Sequence, residues 1–454
     1  MKKMKKGLAL LLCVSMLVMS FAGCSKTTNN QEPAATPSTE AKDTAETKET
    51  AATTEPAASG EKTVINFWHS FSSDKGELLD NMVANFNASH DDIEVVATYQ
   101  GGYWESASKA QTAVSSGENP DILMMGADHV SIFANEEGTL ADLKPFLAKS
   151  GIDEADFVDA FIWDYYVNDQ LIALPFGRST PALYVNKDIM AEAGLKVPTT
   201  WEELKTVANA LVKEENGEVT RYGIAMPYDT WYWFMVVAQA GGNFINAERT
   251  GLGCLEDGTG LKAFSFLQDL KNSNALYFGP TTDSDTTCRQ LFFDGKAAMY
   301  ISSTGNLNSI DKNATFDYEL AWVPQGEVRV VPTGGCSVVM MEASKNKEAA
   351  WEFLRWCLQE PEGGAYIVAN TGYLPYTYSM TESSVIQDVW KNNPYAKVAF
   401  EQLEYASDKS HRVPQIGTIL NELLVAVQAI MYDNEDVQGQ LDVLADSVAT
   451  IMEE

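Results

Sequence analysis

The chain has 454 residues, with 32 basic and 63 acidic side chains and a formal net charge of −31. A field of that sign excludes nucleic acid and general attraction of polyanions, so any anionic ligand needs a local basic group. Past residue 62 the remaining 392 residues exceed one ordinary core, and two domains are expected.

In chain order, "MKKMKK" is a basic n-region and "GLALLLCVSMLVMSFAG" an uncharged apolar run, together a secretory signal over 1–23. It is too short and wrongly flanked for a spanning helix. "FAGC" resembles the lipobox of bacterial lipoproteins, with Phe21 where Leu is usual. Cleavage before Cys24 would leave that cysteine carrying acyl chains such as palmitate. Several chains, at about 0.8 kcal/mol per buried methylene, hold a protein on a membrane without a transmembrane helix. The lost signal takes Lys2, Lys3, Lys5 and Lys6 and no acid, moving the charge from −31 to −35. From Ser25 to Lys62 there is no aromatic residue and no Val, Ile, Leu or Met, so 24–62 reads as a disordered tether reaching roughly 35 Å.

Strand-like and helix-like runs then alternate. "TVINFW" (63–68) precedes a helix carrying Leu78, Leu79, Met82 and Phe86. "IEVVAT" (93–98) precedes a second from Trp104 to Val114, and "PDILMM" (120–125) a third. This β-α-β-α order predicts an α/β protein with parallel sheets. Further strands are expected at 182–185, 222–226, 297–301, 318–323 and 337–341. Thr200 and Glu203 form a capping box ahead of Trp201, Leu204, Val207 and Leu211. From Gln415 the pattern is helical, with Leu420, Leu423, Leu424, Val427 and Met431 on one stripe.

"PYDTWYWFMV" (227–236) crowds Tyr228, Trp231, Tyr232, Trp233 and Phe234 together, too contiguous for one helix face. Cys254, Cys288, Cys336 and Cys357 contain no C-x-x-C pair. Cys357 falls on an apolar stripe with Trp351 and Leu354 and suits core packing, and a Cys254–Cys288 bridge is open to test. No G-x-S-x-G elbow, Walker loop, G-x-G-x-x-G or H-E-x-x-H occurs, and the four histidines do not pair at ligand spacing. "DSDTTCRQ" (283–290) starts like a calcium loop but has Cys288 where Gly is required, and is expected as a solvated acidic loop. No metal, cofactor or catalytic residue is expected.

Four stretches carry a resemblance: "FWHSF" (67–71), "STPALYVNKDIMAEAGL" (179–195), "FFDGKAAMYISSTGNL" (292–307) and "NTGYLPYT" (370–377). In this order they resemble the extracellular solute-binding proteins, family 1, the carbohydrate-binding subunits of ABC importers. The resemblance implies a two-lobed periplasmic-binding-protein-like fold, each lobe a mixed, mostly parallel sheet flanked by helices, with the ligand in a cleft at the hinge. The lobes are expected at 63–176 plus 303–345 and at 177–302 plus 346–454.

It also implies a monomeric, non-enzymatic receptor outside the cytoplasm, delivering a sugar or polyol phosphate to ABC permease subunits in the membrane. The first ligand it suggests is glycerol-3-phosphate or a derivative, the second a neutral oligosaccharide; a secreted carbohydrate-active enzyme is the rival class. The ligand-binding residues carried over are Tyr103, Ser179, Trp231, Ser303, Gly335, Tyr373 and Arg412, with Tyr228 and Asp128 beside them. Trp231 would bury the C–H face of a sugar or polyol, while Tyr232, Trp233 and Phe234 pack the lobe. The Arg412 fork would grip phosphate oxygens, although the family's Gly-Asn after it is missing. Ala127 stands where glycerol-3-phosphate-binding members have Glu, with Asp128 one place on.

Overall fold

The computed structural model describes residues 62–134, 138–407 and 413–453. The first lobe opens with the expected alternation: β1 (Thr63–His69), α1 (Ser73–Ser89), β2 (Ile93–Tyr99), α2 (Tyr103–Ser116) and β3 (Ile122–Gly126). Ile65 and Phe67 of β1 turn inward, and α1 buries Leu79, Met82, Val83 and Phe86, the spacing of one helix face. Each β-α-β passage returns the chain in its starting direction, so β1 pairs in parallel with both β2 and β3. β4 (Leu174–Ser179) then runs straight into β5 (Pro181–Asn186) of a second sheet.

The second lobe continues with α3 (Trp201–Leu211), β6 (Glu218–Met226) and α4 (Thr230–Gln239). It adds β7 (Leu276–Phe278), α5 (Ser284–Phe293), β8 (Ala297–Ser303) and β9 (Tyr318–Ala321). At α3 the Thr200 hydroxyl caps the Glu203 N–H at 3.2 Å. The Glu203 carboxylate reaches back to the N–H and hydroxyl of Thr199, both at 2.7 Å, one residue earlier than in the usual box. The chain then returns to the first sheet as β10 (Gly334–Met340). It ends in α6 (Lys347–Gln359), α7 (Gly364–Thr371), α8 (Ile416–Met431) and α9 (Val437–Glu453), among other helical turns.

The strand orders are β2-β1-β3-β10-β4 and β7-β6-β8-β5-β9. Each sheet has two parallel and two antiparallel pairings along this order, because β10 returns from the other lobe between β3 and β4, and β5 is antiparallel to both its neighbours. The two sheets belong to one compact unit. One core gathers Ile65, Phe67, Phe86, Val339 and Phe353; another gathers Leu183, Ile224, Trp233, Phe264 and Leu423.

Several segments lie with the opposite sheet from the grouping the sequence suggested, among them α7, which packs on α1 of the first lobe. β9, expected in lobe I within 303–345, pairs with β5 in the second sheet. α6, expected in lobe II within 346–454, packs on the first, with Phe353 5.6 Å from Phe67 and Trp356 edge-on to Phe86. Both placements rest on contacts between residues far apart in the chain, which leave no local pattern. The expected loop at 283–290 is mostly helical as part of α5. The four cysteines from Cys254 to Cys357 are free and buried, so the Cys254–Cys288 bridge is absent.

Candidate functional site

The lobes are joined where strands of one continue into the other: Ser179–Pro181, Ser303–Asn306 and Pro332–Gly334. The first two crossings clasp each other, the Thr304 N–H donating to the Thr180 carbonyl at 2.9 Å and the Thr180 N–H to the Thr304 hydroxyl at 3.3 Å. Gln402 knots the crossings: its amide donates to the Thr180 hydroxyl (3.0 Å) and the Pro181 carbonyl (2.7 Å) and accepts from the Val323 N–H (2.9 Å). Above these crossings lies a cleft of about 630 Å³. Its walls follow the ends of β1, β2 and β3 on one side and of β6 and β7 on the other, where open α/β sheets hold ligands.

The lobe II wall is the aromatic run. Asp229 accepts from the Trp231 N–H at 2.9 Å and so starts α4. Trp231 is half-buried and lines the cleft. Its indole N–H donates to the Thr333 carbonyl at 3.1 Å, and its ring lies so close to Gly334 that a Cβ there would stand 2.6 Å from it. Tyr232, Trp233 and Phe234 are buried, Trp233 against Phe264 at 4.4 Å, while Tyr232 and Phe234 also border the cleft. Tyr228 also lines the cleft, but its hydroxyl is engaged by α8: it donates to the Leu424 carbonyl (3.2 Å) and accepts from the Gln428 amide (2.7 Å).

On the lobe I wall Tyr373 is buried, stacked on Phe71 at 5.8 Å, with the Lys75 ammonium 4.8 Å above its ring. Gly177 and Gly305 admit that ring, since a Cβ on either would stand within 3 Å of it. The Tyr103 hydroxyl is enclosed beside Tyr373 and Cys336, and burial pushes its pKa well up. Burial likewise pushes the Cys336 thiol up to about 11. Asp128 bonds His129 at 2.8 Å, and His129 meets the Trp104 ring edge-on at 4.0 Å.

Ser179, Ser303 and Gly335 all line the cleft at the crossings. Ser179 is buried at the end of β4, opposite Gly334. The Ser303 hydroxyl caps a short turn, accepting from the Gly305 N–H at 3.1 Å. Gly335 has φ +87°, and a Cβ there would stand 1.9 Å from the Gly177 carbonyl oxygen, so no side chain fits. Ala127 lines the cleft beside Asp128. Arg412 and Cys24 lie outside the described residues.

Several cleft residues escaped the sequence reading. Trp104 and Trp163 add aromatic surface, exposed by 38% and 36%. Asp285 at the head of α5 receives bonds from Tyr300, from Ser302 (2.7 Å) and from Asn306 (3.1 Å). Desolvation between the walls pushes the Asp229 carboxyl up to about 6, against the lowering bond from Trp231, although the residue keeps solvent contact. Arg178 of β4 is 3% exposed in a strand whose six residues are all buried. Its signal was visible, as one charge inside the run "ALPFGRSTPALYV".

Residues 81–397 match the model of a family described as bacterial extracellular solute-binding protein. The sn-glycerol-3-phosphate-binding periplasmic protein UgpB of Yersinia pseudotuberculosis is 29% identical over 398 residues, covering 80% of this chain and 87% of its own. Among solved structures, UgpB of Mycobacterium tuberculosis in complex with glycerophosphocholine superposes with a TM-score of 0.75 at 24% identity, covering 87% of this chain and 99% of that one. The ABC substrate-binding protein Lmo0181 of Listeria monocytogenes, in complex with cycloalternan, gives 0.76 at 21% identity, covering 87% and 100%.

Proposed function

The chain belongs to the bacterial extracellular solute-binding protein family, and from that premise we propose that it is the receptor of an ABC importer. It captures a carbohydrate-class solute in the cleft and hands it to permease subunits outside the cytoplasm. The observation that carries this reading is the convergence of Trp231 from one lobe with Tyr103 and Tyr373 from the other on a cleft spanned by the chain crossings. A ligand touching both walls favours the closed arrangement by its extra contacts, and the permease senses closure. Ser179, Ser303, Gly335 and Asp128 offer polar groups and close backbone approach to the same space, with Tyr228 at its edge. Arg412 is assigned to the ligand by the family pattern.

The first ligand is glycerol-3-phosphate or a derivative, supported by the UgpB relative and by the cations on the lobe I wall. A neutral oligosaccharide is the second reading. Trp104, Trp163 and Trp231 give aromatic surface on both walls, which suits several sugar faces. Acylation of Cys24 and the tether to residue 62 keep the body beside its permease. Binding without turnover is expected, so ligand is recovered unchanged after long incubation.

A thermal-shift screen with sn-glycerol-3-phosphate, a glycerophosphodiester and a neutral oligosaccharide tests the reading. A bound ligand at 100 times its Kd stabilises by ~2.7 kcal/mol. No stabilisation by any of the three, with no heat on titration, overturns it.

A further inference from the structure

Arg178 is almost wholly enclosed, yet it enters no ion pair among the described residues. Its guanidinium lies 5.0 Å over the Phe161 ring. Nη1 donates to the Tyr165 hydroxyl at 2.7 Å and at 3.4 Å to Ser337, and Nη2 to the Thr333 hydroxyl at 3.0 Å. All these partners are neutral. Nε has no partner. Nε and Nη2 form the side-on edge with which arginine grips two oxygens of one anion. A buried charge of this kind is costly unless a counter-ion meets it.

A second observation points to the same wall. Among the described residues, three of the seven buried side-chain polar atoms without a hydrogen-bond partner belong to the cleft lining: Arg178 Nε, His129 Nε2 and Ser70 Oγ. Native interiors satisfy such groups, so three on one wall mark a place completed by something from outside the chain. Lys75 joins them from the first turns of α1, half-buried and again without an ion pair among the described residues.

We infer that Arg178, assisted by Lys75, is a second anion contact of this cleft, besides the one the family pattern assigns, and meets the phosphate of a phosphate-ester ligand from the lobe I wall. The inference rests on the receptor reading and narrows its ligand class. Ser70 Oγ and His129 Nε2 are further hydrogen-bonding groups on that side. The four acids that line the cleft leave this grip uncancelled, since none of them stands within ion-pair distance of Arg178.

The test is calorimetric titration of the full mature chain and its Arg178→Gln, Arg178→Lys and Lys75→Gln variants with sn-glycerol-3-phosphate, at several salt concentrations. Arg178→Gln should weaken binding by roughly 30-fold or more, and Lys75→Gln by roughly 3- to 10-fold. Arg178→Lys should recover part of the loss. Both Gln variants should flatten the salt dependence of the affinity, which a merely structural role would leave alone. Melting of each free variant establishes that it folds; if Arg178→Gln does not, Lys75→Gln decides. Wild-type binding of the ester with both Gln variants equal to it overturns the inference and leaves the receptor standing. Wild-type binding of a neutral oligosaccharide and of no phosphate ester also overturns it, again with the receptor intact. No wild-type binding of either class overturns the receptor reading itself.

Discussion

Trp231 and Arg178, on opposite walls of the cleft, bond the same residue. The indole N–H of Trp231 donates to the Thr333 carbonyl at 3.1 Å, and the Arg178 guanidinium donates to the Thr333 hydroxyl at 3.0 Å. Thr333 lies on the crossing between β9 and β10, so aromatic plate and cation are both referenced to a segment that any hinge motion must flex. Their mutual position is therefore set within two hydrogen bonds.

The contrast between two neighbouring tryptophans follows. Trp231→Ala removes one hydrogen bond and a half-buried ring, and should cost the free protein about 1–2 kcal/mol. Its larger effect should be on ligand affinity. Trp233, fully buried against Phe264, should cost about 3–5 kcal/mol when cut to Ala and leave affinity per folded molecule near wild type. Denaturant melts and titrations of both variants check this, and the reverse ranking would put Trp231 in the core.

Adjacent glycines should also separate. Gly335→Ala needs a left-handed residue where a methyl stands 1.9 Å from the Gly177 carbonyl, so a loss of about 3 kcal/mol or more is expected. Gly334→Ala instead puts its methyl against the Trp231 ring, at 2.6 Å. That should displace the plate, costing about 1 kcal/mol of stability and roughly tenfold in affinity. Equal melting temperatures for the two variants would contradict the geometry.

Asp229 gives a pH dependence of definite sign. Partial desolvation in the cleft raises its folded pKa from the ordinary 3.8 to about 6, so the folded state binds that proton more readily than the unfolded chain. Its contribution therefore destabilises above pH 6, and this penalty fades as pH falls from 6 towards 3.8. Asp229→Asn keeps an acceptor for the Trp231 N–H and removes the charge. It should melt higher than wild type at pH 7.5, by no more than about 1–2 kcal/mol because the carboxylate keeps contact with solvent. The gain should vanish near pH 4, and a variant less stable at pH 7.5 would refute the assignment.

Thiol chemistry tests the core. Cys254, Cys288, Cys336 and Cys357 are buried, and burial pushes Cys254 up to about 12 and Cys288 higher still. Ellman's reagent should react with none of the four in the native protein and with all four after denaturation without reductant. A shortfall of two after denaturation would reveal a disulfide.

For the proposed anchor, Cys24→Ala should move the expressed protein from the detergent phase to the aqueous phase on partitioning. Equal recovery of mutant and wild type in detergent would remove the lipid from the account.

Much of this was legible in the sequence because it is local. The β-α-β alternation through residue 126, the cap at Thr200 and the buried face of α8 all follow from spacing within one or two turns. Trp231 stays half-buried while Trp233 is wholly in the core, because a helix starting at Thr230 cannot turn four consecutive rings to one side. The placement of β9 and α6 was not legible, since it depends on pairing partners far along the chain. Asp285 was expected in a solvated acidic loop, and only the approach of two lobes makes it and Lys75 neighbours of a cleft. Arg178 could have been found by asking what one charge does inside a buried strand.

The return of β10 to the first sheet reaches back to how the protein is made. Until residues 334–340 leave the ribosome, β3 and β4 have no strand between them. Both present bare backbone edges, and nearly three quarters of the chain already exists. Such edges invite pairing with other chains, and contacts so distant in sequence form slowly. The first sheet therefore completes late, whereas the second sheet has all its strands once residue 321 is made. The same arrangement makes premature termination hazardous, because a fragment ending before Gly334 carries two open edges with no means of closing them.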